Sequence, residues 1–168
     1  MIKFCHISPT PHLADLTQYN GSHLILAHLV ESDPAYRSFY ASLDDGKEKI
    51  MDNSGFEKFK AGEPMYSASK LVEMASHIKA DCIVLPDYPM QPSHATINAA
   101  LEWIPTFKEA GFGTFFVPQS ELGCLDDYME CVQWALNNED IDIIGLSILG
   151  CPIALGLEEQ TYDRVDQV

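Results

Sequence analysis

Short β-branched or aromatic runs alternate along the chain with longer stretches whose apolar positions recur at helical spacing. The runs predict strands at 2–7, 23–29, 49–53, 82–86, 114–118 and 143–148. Between them the pattern predicts helices. Asp33-Pro34 puts a capping side chain ahead of a proline at the first helical position, opening a helix to about Leu43. Ser67 caps a second, in which Leu71, Met74, Ala75 and Ile78 share a face. Ser93 opens a third, with Ile97, Ala100, Leu101 and Ile104 on one face; Pro105 is expected to kink or split it, and Gly111 to end it. A fourth carries Leu125, Met129, Val132 and Leu136 as its apolar stripe and closes at Asn137-Asn138.

From residue 49 the order is β-α-β-α-β-α-β. The runs "CIVLP", "TFFVP" and "IIGLSI" are continuously apolar, as strands buried on both faces are, which predicts a parallel α/β sheet. Two architectures fit: an open doubly wound sheet, or a (β/α) barrel of the TIM type. A complete barrel takes about 250 residues; about six strands in 168 residues make it an incomplete one. The expected organisation is a single partial barrel domain over 1–156 and a tail over 157–168.

Composition narrows the function classes. Hydrophobic residues are 46% and charged residues 21%, a soluble, globular balance. No apolar run approaches the roughly 20 residues of a membrane span, and the N-terminus shows no secretory pattern. Cys5, Cys82, Cys124, Cys131 and Cys151 are scattered and form no CxxC pair, so free thiols in the cytoplasm are expected, with no metal and no cofactor. The six histidines, His6 and His12 included, lack ligand spacing. A net charge of −15 disfavours a polyanionic substrate such as tRNA or DNA unless another chain supplies positive charge. There is no GxGxxG, P-loop, GxSxG or HExxH.

In either architecture functional residues gather at the carboxyl ends of parallel strands. There the sequence places Ser8, Asp52, Asp87, Gln119 and the stretch ending Leu149-Gly150. Each has a structural reading. Asp52 makes an Asx turn with Ser54-Gly55, Asp87 belongs to the rigid loop "PDYPMQP", and Gln119 caps a helix. The functional reading is that two acids and an amide converge on one rim. Carboxylate and amide together read the donor and acceptor edge of a flat heterocycle. Phe56 offers a stacking face, and a carboxylate beside a glycosidic carbon serves as nucleophile or general acid/base.

The segment "DNSGFE" resembles the D-x-x-G-F-[QE] segment of queuine and archaeosine tRNA-guanine transglycosylases, and of the phage and bacterial relatives that insert 7-deazaguanines into DNA. In the same order, Asp87 after "CIVLP" resembles that family's base-reading aspartate. "FFVPQ" resembles its "GIVQG" segment, and "IDIIGLSILG" its "FDGYAIGGLSVG" segment. The match runs from about residue 48 to 150. It implies a TIM-type barrel and a pentosyltransferase that exchanges a guanine or 7-deazaguanine base. Asp52 would be catalytic, with Asn53, Ser54, Gly55 and Phe56 around the base. Asp87 and Gln119 would read the base edge, and Gly145, Leu146 and Gly150 would give backbone contacts. The sequence departs from the family in three ways. The family's later nucleophilic aspartate has no counterpart in context (Asp163 and Asp166 lie in the tail), its cysteine and histidine zinc site is missing, and so is its basic surface. The resemblance therefore implies either a truncated or split transglycosylase subunit or a non-catalytic nucleobase- or nucleotide-binding module. A third expectation is a partner subunit that forms a homo- or hetero-oligomer through open barrel edges.

Overall fold

The computed structural model describes residues 5–148 and 150–157. The fold is α/β with six parallel strands, as the apolar runs predict. The chain divides into two compact units, Met1–Val84 with Thr106–Gly113, and Leu85–Pro105 with Thr114–Val168.

The first unit holds β1 (Cys5–His6), a helical turn α1 (Leu13–Leu16), β2 (Ser22–Leu26), α2 (Ala27–Ser32), α3 (Pro34–Ser42), β3 (Lys49–Asp52), α4 (Gly55–Ala61), α5 (Ala68–Ile78) and β4 (Cys82–Val84). Its strands pair in chain order. Cys5 lies opposite Ser22, Leu24 opposite Ile50, and Met51 opposite Ile83. Ile25, Ile50, Met51, Ile83, Leu71 and Ile78 are buried, each side chain contributing about 1.5–3 kcal/mol by leaving water. Asp33 caps α3 by accepting from the Ala35 and Tyr36 amides, and Ser67 caps α5 by accepting from the Lys70 amide, as the sequence predicts.

The second unit holds the start of α6 (Ser93–Glu109), most of β5 (Gly113–Phe116), α7 (Leu125–Leu136), β6 (Ile143–Ile144) and α8 (Gly150–Ala154). β5 and β6 are parallel, with Phe115 opposite Ile143. Asp142 Oδ2 accepts from the Thr114 amide at 2.7 Å, pinning the start of β5. The first unit repeats this device, with Asp81 Oδ2 accepting from the Lys49 amide at 2.7 Å at the start of β3.

Several elements differ from expectation. The strand expected over 23–29 stops at Leu26, and Ala27–Ser32 is helical. The turn after Asp52 leads directly into α4. Of the kink or split expected at Pro105, the split does not occur, since α6 continues to Glu109. That helix buries Thr96, Ala100, Ile104 and Phe107, whereas Leu101 is exposed. It ends as expected at Gly111, whose φ of +84° lets the Phe112 amide reach back to Phe107 O at 3.0 Å. In α7 the buried face is Tyr128, Cys131 and Ala135, while Leu125, Met129 and Leu136 are exposed. β6 covers two residues of the six expected. The tail from residue 158, with Asp163 and Asp166, lies outside the described residues, as does Leu149.

Candidate functional site

Two of the expected site residues meet in the second unit. "LPD" and "VPQ" each place a proline and then a polar residue after an apolar run, so Asp87 and Gln119 occupy equivalent places. The Leu85 amide donates to Phe115 O at 2.8 Å, which brings these two segments side by side. Gln119 Nε2 then donates to Asp87 Oδ2 at 2.7 Å. Gln119 is only 2% exposed, and its Oε1 has no hydrogen-bond partner among the described residues. An orphaned buried amide oxygen costs about 1–3 kcal/mol, so its persistence calls for a reason.

The glycines bear on the same oxygen. A Cβ on Gly150 would lie 3.2 Å from Gln119 Oε1 and 3.2 Å from Pro118 O, so glycine leaves this side of the amide uncrowded. At Gly145 a Cβ would collide with the Phe115 ring, so no other residue fits there without a shift. Leu146 is exposed. Residues that sequence reasoning passed over hold this arrangement. Cys131 is fully buried on α7; burial pushes its thiol up to about 11, and a hydrogen bond with the Gln119 backbone opposes that rise. Tyr128 Oη lies 3.2 Å from Cys151 Sγ, and the Gly123 amide donates to Ile153 O at 2.9 Å, fixing α8 and so Gly150. The one sequence signal for these positions was their helical spacing, which α7 also shows at its exposed residues.

The other expected site residues lie at the end of β3 in the first unit. Asp52 Oδ1 accepts from the Ser54 amide at 2.6 Å, and Asn53 Oδ1 accepts from the Gly55 amide at 2.7 Å, giving two successive Asx turns. The turn reading of Asp52 therefore holds. Ser54 sits in the left-handed region at φ 55° and is fully buried. Its Oγ accepts from the His28 amide at 3.1 Å and lies 3.0 Å from His28 Nδ1. Ser54 thus caps α2 from 26 positions away, a partner that nothing local in the sequence announces. Its burial and these bonds give it a structural role rather than that of an exposed nucleophile. Burial pushes the Tyr36 hydroxyl well above its ordinary range, and the charge of Asp52 adds to the shift. Phe56 is half-buried, with Lys60 Nζ 4.7 Å from its ring centroid, so an ammonium already sits over one face.

Among the described residues no group of three or more His, Cys, Asp or Glu side chains is placed to hold a metal ion. No described helix is long and apolar enough to cross a membrane. An open cleft of 560 Å³ lies along the C-terminal half of α7, lined by Glu130, Trp134 and Asn137 among others. It is toward the end of α7 that feeds the start of β6, away from the strand ends that carry Asp87 and Gln119. Comparison with known proteins returns no matching family model and no matching curated protein.

Proposed function

We propose that this chain is a transglycosylase-like protein that takes a guanine or 7-deazaguanine base at Asp87 and Gln119. The orphaned Gln119 Oε1 carries the reading. A buried acceptor next to a carboxylate, with a glycine in front of it, suits the N–H donor edge of such a base. The base would satisfy the oxygen that the protein leaves unpaired. Gly145, Leu146 and Gly150 would supply backbone contacts, and Asn53, Ser54, Gly55 and Phe56 would form the turn that carries Asp52. Asp52 would act in acid/base chemistry at the glycosidic bond. The six parallel strands, each followed by a helix, support a (β/α) barrel of the TIM type as the frame. The expected polymer, tRNA or DNA, and the cytoplasmic location belong to the same proposal.

A specific observation favours a second reading, that of a non-catalytic nucleobase-binding module. Asp52 Oδ1 is engaged by the Ser54 amide, as a turn-forming carboxylate would be. Incorporation of labelled guanine into tRNA and DNA separates the two. The transglycosylase reading expects incorporation by the wild type and loss in Asp52→Asn. Base binding without incorporation selects the binding module, and undiminished incorporation by Asp52→Asn removes the catalytic role.

A further inference from the structure

The exposed stripe of α7 carries an inference independent of the base site. Leu125, Met129 and Leu136 are 45%, 54% and 64% exposed. At about 100° per residue they fall within about 40° of one another, with half-buried Val132 alongside. The stripe lies to one side of the buried line Tyr128–Cys131–Ala135. On the other side is Asp127, whose carboxylate accepts from the Ser93 amide at 2.9 Å and from Ser93 Oγ at 2.6 Å at the start of α6. The stripe therefore occupies the flank of α7 turned away from α6. In a right-handed β/α repeat that is where the next helix lies. β6 has β5 on one side, and among the described residues no strand pairs with its other edge. α8 meets the start of α7 at Tyr128 and the turn before it at Gly123, whereas Leu136 lies at the far end.

Charge selects the occupant. From Glu109 to Asp163 the sequence contains no Lys, Arg or His, and the crest beside the stripe bears exposed Asp126 and Glu130. A second copy docking by the same flank would set one acidic surface against another, which is unfavourable. The chain's own tail sets Glu158, Glu159, Asp163 and Asp166 against Arg164 alone and meets the same repulsion. We propose that this flank seats a basic amphipathic helix of a partner protein, laid beside α7 as the next helix of the repeat, with the partner's strand along the open edge of β6. Apolar residues of that helix cover Leu125, Met129 and Leu136, and its Lys or Arg residues meet Asp126 and Glu130.

The test titrates the full chain into a fluorescent synthetic helix of about four turns, with Leu on one face and Lys on the other. A Leu/Glu version of the peptide is the control. The expected result is binding of the Leu/Lys peptide alone, weakening as salt is raised, and about tenfold or more weaker with Met129→Ser/Leu136→Ser. Both substituted positions are exposed, and an unchanged circular dichroism melt verifies the fold. No binding of the Leu/Lys peptide, or equal binding by the variant, overturns the proposal. So does a wild-type dimer in sedimentation that the variant dissociates, since a second copy is then the occupant.

Discussion

Gln119 donates to Asp87 through Nε2 at 2.7 Å while its Oε1, in the same buried side chain, accepts nothing among the described residues. Half of the amide is committed to the scaffold and half is left open. A side chain kept only for structure gains nothing from the open half, so this pair separates binding from stability. Gln119→Leu removes the donor to Asp87 and also an unpaired buried oxygen. Its unfolding free energy in urea is expected to stay within about 1 kcal/mol of wild type. A loss above about 3 kcal/mol would make Gln119 chiefly a structural residue.

Gly150 tests the space in front of the open oxygen. Gly150→Ala brings a methyl to 3.2 Å from Gln119 Oε1. It is expected to cost about 1 kcal/mol of stability, at the low end for overpacking. It should weaken binding of 7-deazaguanine by more than that in isothermal titration. Gly145→Ala meets the Phe115 ring instead and is expected to cost more, about 2–3 kcal/mol, in the same urea measurement.

Ser54 combines a left-handed backbone with a long-range cap. Ser54→Ala loses the hydroxyl that accepts from His28 and keeps an unfavourable φ, so it should cost about 2 kcal/mol. Ser54→Gly loses the same cap but suits φ 55°, and should cost about 1 kcal/mol. Equal costs in chemical denaturation would show that the backbone conformation contributes nothing.

Asp33 gives a pH dependence of defined sign. The Tyr36 amide first, then Thr10, hold its carboxyl below 3.8 in the folded chain. The folded state thus binds this proton less readily than the unfolded state. The contribution is full above 3.8 and is lost as pH falls through the lower folded value. Asp33→Asn keeps a capping oxygen without a titrating charge. The difference in urea midpoint between wild type and variant should therefore shrink as pH falls from 5 to 2. A constant difference over that range would contradict the assignment.

Local signals were legible where the whole device lies within a few residues. Asp33-Pro34 and Ser67 carry their own caps, and Gly111 its own stop. α2 was not legible because its cap is Ser54, 26 residues on. The buried face of α7 is not legible because two apolar stripes run along the helix. Leu125, Met129 and Leu136 obey helical spacing as well as Tyr128, Cys131 and Ala135 do, and periodicity does not say which one meets the sheet. For the site, the repeated proline-then-polar ending placed Asp87 and Gln119 at equivalent positions. Their hydrogen bond, and the oxygen left over, depend on side-chain placement that a sequence pattern does not encode.

Isothermal titration of the wild type and Gln119→Leu with 7-deazaguanine tests the central claim most directly, with adenine as the control base. The account predicts micromolar binding of 7-deazaguanine by the wild type, at least about tenfold weaker binding by Gln119→Leu, and no binding of adenine. Absence of heat with 7-deazaguanine and guanine alike, or equal affinity in the variant, would contradict it.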